Sequence, residues 1–257
     1  MPPVEFVALA AELGVGTIGL APSPITANPY GFPTWDLRSD PGLKDRTRAA
    51  LAEHGVTISV GEGFLIMPGL EIADAEATID LMAELGAPRV NCVAVDPERS
   101  RGLEQFARFA EMAAARGQDA MLEFMPMLSP ATIGEALAFV TDSGAPNGKL
   151  LVDAMHFFRS GGQIADLAAI DPGRIGHIQI CDVPMPARTA DYGEEARHDR
   201  LCPGEGDLPL ADFLKALPSD VNVGLEVPMV SRAKAGTGLR ELLVPGVAAA
   251  RRLLAAG

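Results

Sequence analysis

The sequence predicts an α/β fold built from repeated βαβ units. Three observations carry that prediction: short apolar runs alternate with helix-period segments along the whole chain, glycines punctuate the helix ends, and no break in composition marks a second domain. Seven strand candidates are legible, and the arrangement expected of them is a (β/α)8 barrel whose first strand is missing or irregular. One domain is expected over residues 1–257. A doubly wound sheet is the competing architecture, but no glycine-rich phosphate turn follows an early strand.

Met1-Pro2-Pro3 leads almost directly into the first helix candidate, Val4–Leu13, with no strand before it. Thr17–Leu20 and Thr57–Ile66 read as strands around a helix at Leu43–His54. A helix at Ile72–Leu85 precedes the strand Arg89–Val95. Leu103–Arg116 is helical before the strand Ala120–Met125, and Thr132–Thr141 before Leu150–Met155. A short helix at Ile164–Ala168 leads into Ile175–Cys181, a helix at Leu210–Leu217 into Val221–Val227, and the chain closes on a helix over Thr237–Ala256. Leu13-Gly14, His54-Gly55, Leu85-Gly86 and Arg116-Gly117 supply helix stops. The least regular stretch, Val183–Asp207, reads as a long loop, the kind that forms a lid or a substrate-binding element.

The chain has 257 residues, 48% hydrophobic and 21% charged, with a net charge of -13. That balance argues against nucleic acid or an anionic membrane as partner. Three cysteines without metal-binding pair spacing predict reduced thiols and a cytoplasmic setting. Cys92 and Cys181 read as small buried hydrophobes, and Cys202 as a loop residue beside the site.

Four oxygen-bearing side chains end four separate apolar runs: Glu123, Asp153, Gln179 and Glu226. Such groups are costly in a buried parallel strand unless something pairs with them. Convergent hard donors suit Mn²⁺ or Mg²⁺, with Co²⁺ or Zn²⁺ as less specific occupants. The competing explanation pairs each carboxylate with a buried arginine. His156, three residues after Asp153, is a candidate substrate contact. His177 shares a strand face with Gln179, and Glu62, between two glycines, is a candidate for the barrel mouth. Asp182 is placed to orient a neighbour or cap a loop. Arg200, ahead of the Pro203-Gly204-Glu205-Gly206 turn, is placed to bind an oxygen anion or hydroxyl. Arg159 reaches towards the site or a neighbouring subunit, and the Phe157-Phe158 pair suggests self-association into a homo-oligomer.

With these residues assembled, the chain resembles the sugar phosphate isomerase/epimerase group of xylose-isomerase-like TIM barrels. The group includes hydroxypyruvate isomerases, ketose 3-epimerases and inosose dehydratases. The resemblance implies one divalent metal held by Glu123, Asp153, Gln179 and Glu226, with His156 and the Arg200-Leu201-Cys202-Pro203-Gly204-Glu205-Gly206 loop positioning substrate. Two features depart from the pattern: no Glu ends the strand Thr17–Leu20, and the insertion Pro184–His198 is long. The expected chemistry is isomerisation or epimerisation of a sugar-like or hydroxy-keto substrate through an enediolate, with Glu123 and Glu226 as the acid/base pair. A metal-dependent dehydratase and a non-catalytic sugar-binding subunit are the alternatives.

Overall fold

The computed structural model describes residues 1–25 and 27–256. Seven strands form one sheet in sequence order, every neighbouring pair parallel, and together they make a nearly closed barrel. The chain enters through helix α1 (Pro3–Glu12), then strand β1 (Thr17–Leu20), α2 (Pro41–His54) and β2 (Thr57–Ile66). A 3₁₀ turn (Ile72–Ala75) runs into α3 (Glu76–Glu84) and β3 (Arg89–Ala94), where the sequence reads as a single helix. Next come α4 (Arg99–Ala114), β4 (Asp119–Glu123), α5 (Ile133–Asp142) and β5 (Gly148–Asp153). Two short helices, α6 (Ala154–Arg159) and α7 (Ile164–Ala168), precede β6 (Ile175–Ile180). Then follow α8 (Tyr192–His198), α9 (Leu210–Lys215), β7 (Val223–Leu225), α10 (Val230–Lys234) and α11 (Leu239–Ala256).

Local chemistry sets the boundaries. Asp40 caps α2 by accepting from the Leu43 amide, and Gly55 ends that helix at φ 62°, a left-handed conformation that favours glycine. Thr132 caps α5, and Glu135 reaches back to the Ala131 amide. The expected strand Leu150–Met155 stops two residues early, because the Asp153 carboxylate accepts from the His156 amide at 2.9 Å and starts α6.

Most apolar burial lies between the strands and the outer helices, where Phe106, Phe109, Phe124, Phe157 and Phe213 are among the largest fully buried side chains. A smaller apolar cluster, Val60, Met121 and Leu151, fills the barrel interior. Alternation along each strand then dictates what comes next. Two residues beyond Val60, Met121 and Leu151 on the same faces are Glu62, Glu123 and Asp153, so an apolar floor carries a layer of acids above it. At the seam between β7 and β1, Arg251 Nη2 donates to the Leu13 and Gly14 carbonyls at 2.8 and 2.7 Å, fastening α11 to the turn after α1.

Candidate active site

Glu62 sits at a break in regular pairing. The β2–β3 register shifts between Gly61 and Phe64, and Gly63 has φ 92°. This bulge aims Glu62 inward from mid-strand rather than from the strand end, where the sequence suggested it. Its two oxygens accept from Asn91 Nδ2 at 3.1 Å and Gln179 Nε2 at 3.3 Å. The same Asn91 nitrogen donates to Glu123 Oε2 at 2.9 Å, so one amide joins two acids. Glu123 ends β4, Asp153 ends β5, and Gln179 lies near the end of β6. Glu226 lies one residue past β7, its amide still bonded to the Ile180 carbonyl at 3.0 Å.

Two basic groups enter this acidic layer. The His156 ring stands with Nε2 3.3 Å from Glu123 Oε1 and Nδ1 3.3 Å from Asp153 Oδ1. Its Nδ1 also meets the Tyr192 hydroxyl in a short hydrogen bond. Arg200 is 4% exposed; its Nη1 lies 2.8 Å from Asp153 Oδ2 and 2.9 Å from Glu226 Oε2, and its Nε donates to the Ala196 carbonyl at 2.8 Å.

Proton affinities follow from this crowding. Burial, with the charges of Glu123 and Glu226, pushes the Glu62 carboxyl up to about 8. Burial also pushes Asp153 up, but Arg200 and His156 outweigh it and hold that carboxyl below its ordinary value. For His156 burial opposes the charged ring, and Asp153 and Glu123 more than offset it, so its pKa rises. Burial raises Glu226 against the pull of Arg200, with Asp153 and Glu123 adding to the rise; a side chain 40% exposed tempers that push. Burial and Arg89 push His177 down to about 4, so that ring is neutral.

The structure therefore brings Glu62, Glu123, Asp153, His156, Gln179, Arg200 and Glu226 together. His177 lies one layer deeper, its Nε2 against Gly224, towards the apolar floor. Asp182 organises the following loop, accepting from the amides of Val183, Gly204 and Leu208 at 2.9, 2.9 and 3.0 Å. Cys202 packs against Met229 and Leu242 rather than facing the site. Arg159 forms a two-pronged ion pair with buried Glu195, at 3.0 and 2.8 Å. Phe157 is wholly buried, and the half-buried Phe158 packs against Phe213 with its ring tilted by 51°, so most of the pair is spent on the chain's own core.

Asn91 and Tyr192 escaped the sequence reading. Asn91 carried the same signal as the acids, a polar side chain inside an apolar run. Tyr192 lay in a stretch read as loop, although Asp191 followed three residues later by Glu194 is a helix-start pattern.

The donors fit a divalent ion in kind. They are oxygens, and Gln179 Oε1 is buried without a hydrogen-bond partner. As placed they do not close round one: among the described residues no three His, Cys, Asp or Glu side chains are grouped to hold a metal.

A parallel barrel with an acidic, oxygen-rich layer at the carboxyl ends of its strands defines a TIM-barrel site at the usual end of the fold. Residues 7–243 match the xylose isomerase-like TIM barrel family, and the chain belongs to it. A Streptomyces coelicolor protein provisionally named hydroxypyruvate isomerase is 30% identical over 188 residues, covering 64% of this chain and 62% of that protein. An inosose isomerase of Halalkalibacterium halodurans is 31% identical over 112 residues, 42% of this chain and 38% of that one. The chain thus spans less than two thirds of the length of these curated relatives. The crystal structure of an IolI protein with bound zinc shares the fold, with a TM-score of 0.75 at 18% identity over 97% of this chain and 92% of that one. Among the described residues no helix is long and apolar enough to cross a membrane.

Proposed function

We propose that the chain is a divalent-metal-dependent isomerase or epimerase acting on an unphosphorylated sugar-like or hydroxy-keto substrate. One observation carries the reading: Glu123 and Glu226 converge on the layer that also holds His156 and Arg200, and they come from strands three apart round the barrel. Two carboxyl groups approaching one space from different sides suit proton removal and return. The names of the curated relatives, both isomerases, support the same class.

A bound Mg²⁺ or Mn²⁺, held by Glu123, Asp153, Gln179 and Glu226, would polarise the substrate carbonyl and acidify the neighbouring C–H. Glu123, with Oε1 beside the His156 ring, takes the C–H proton, and the bond's electron pair becomes the carbon–carbon double bond of an enediolate. Glu226, whose proton affinity is raised, returns a proton to the same carbon or to its neighbour. The first outcome is epimerisation and the second is ketose–aldose exchange. His156 and Arg200 hold the substrate oxygens, and Glu62, a neutral acid near pH 7, donates to a hydroxyl. His177 shapes the floor below them.

The test uses Mn²⁺-loaded protein in deuterated water with hydroxypyruvate and a panel of inososes and keto-sugars. Solvent deuterium at carbon in a mass-neutral product is expected. Glu226→Gln is expected to lose turnover at least a hundredfold while still binding Mn²⁺. Undiminished turnover in that variant would remove Glu226 from the acid/base role.

A further inference from the structure

We propose that Arg200 occupies the cation seat of this site, so that its guanidinium and a divalent ion exclude one another. The inference rests on the metal reading above and accounts for the misfit in donor spacing.

Arginine normally meets carboxylates through a fork of two nitrogens. Here one nitrogen, Nη1, serves Asp153 Oδ2 at 2.8 Å and Glu226 Oε2 at 2.9 Å, carboxylates that belong to β5 and to the residue after β7. A single positive centre between oxygens from separate strands is the arrangement of an ion and its ligands. The separations exceed an Mg–O bond of about 2.0–2.1 Å by about 0.7–0.9 Å. Replacing Nη1 by a metal therefore draws the two carboxylates inward, and Gln179 Oε1, buried without a hydrogen-bond partner, is the further oxygen free to join them.

Arg200 also has somewhere to go. It follows α8 by two residues, and its Nε bond runs to the Ala196 carbonyl within that helix. Displaced from the seat, it keeps this local anchor and presents its charged end to the substrate. The guanidinium holds two like charges together until the ion arrives, and then becomes a substrate contact.

The experiment is a Mn²⁺ titration read by electron paramagnetic resonance, without substrate. Arg200→Met is expected to bind Mn²⁺ at least tenfold more tightly than the wild type. Arg200→Lys keeps the charge on a stem one bond shorter, and a gain of at least threefold is expected. Thermal unfolding reports the same competition: Mn²⁺ raises the melting temperature of Arg200→Met more than that of the wild type, because the unpaired Asp153 and Glu226 regain a cation. A measurement on the intact chain guards against a variant that fails to fold: in ¹⁵N-arginine-labelled wild-type protein, the Nε–H signal of Arg200 shifts when Mg²⁺ is added.

Equal or weaker Mn²⁺ binding by Arg200→Met overturns the proposal. So does a wild-type affinity in Arg200→Lys beside a gain in Arg200→Met, because charge alone then explains the gain. An unmoved Arg200 signal at saturating Mg²⁺ overturns it as well. If neither the wild type nor Arg200→Met binds Mn²⁺, the metal reading falls and takes this inference with it; a binding wild type with no gain in the variants refutes this inference alone.

Discussion

Replacing Arg159 by Met should unsettle the site without touching it. Arg159 and Glu195 have side chains 9% and 5% exposed, and they are joined by two charge-assisted bonds. Arg159 Nη2 also donates to the Pro184 carbonyl at 2.8 Å, so the guanidinium ties α6 to both ends of the segment leading into α8. Removing it leaves the Glu195 carboxylate buried and unpaired, a loss of about 3–5 kcal/mol. The double variant Arg159→Met, Glu195→Met removes both charges and their burial cost, and most of the stability should return. Urea unfolding followed by circular dichroism supplies the four free energies of the cycle. Limited proteolysis shows whether the loss is felt as opening of α8 before global unfolding. A single-variant loss below about 1 kcal/mol, or a double variant no better than the single, would refute the argument that this pair holds α8 down.

Other outcomes follow from the same geometry. Glu62 keeps its proton in the folded state up to about pH 8, whereas the unfolded chain releases it near the ordinary carboxylate value of about 4.3. Its contribution to stability is therefore full at acid pH and lost as pH rises through about 8. Glu62→Gln, compared with metal-free wild type by urea unfolding, should gain in relative stability between pH 5 and pH 8.5; a difference independent of pH would count against the buried-acid assignment. Tyr192→Phe removes the hydroxyl from His156 Nδ1 and should slow substrate deuterium exchange about tenfold, roughly 1.4 kcal/mol in the barrier, with little change in overall stability. Unchanged exchange would mean that the ring is oriented by its other neighbours.

Much of the architecture was legible because strand burial writes itself into composition. Runs such as Leu150-Leu151-Val152 admit little but a buried strand, and the acid that ends each run stands out against them. Glu123, Asp153 and Gln179 were placed from that contrast alone. What escaped was whatever a side chain does locally. Asp153 reads as a strand-end acid, yet it is also the cap that turns the chain into α6. The segment from Glu194 to Arg200 reads as a solvated charged loop, yet two of its members serve inside: Glu195 is buried, and Arg200 sits in the acidic layer. Of the two explanations for the strand-end acids, the buried arginine accounts for two of them, since Asp153 and Glu226 face Arg200. Charge runs do not report which face of a short helix they occupy, and long-range pairing such as Arg159 with Glu195 has no local signature.

The insertion after β6 begins and ends at one point: Asp182 and Leu201 exchange two backbone hydrogen bonds of 2.8 Å, closing the intervening residues into a stapled loop. Tyr192 and Arg200 both ride on this loop, whereas the acids they meet ride on the barrel. The acids of the barrel and the side chains that meet them from above are thus on separate pieces of chain. A loop of different length grafted between Asp182 and Leu201 would re-tool the chemistry above the acids while leaving the barrel's folding core intact. In that sense the protein is built as a handle with an interchangeable bit.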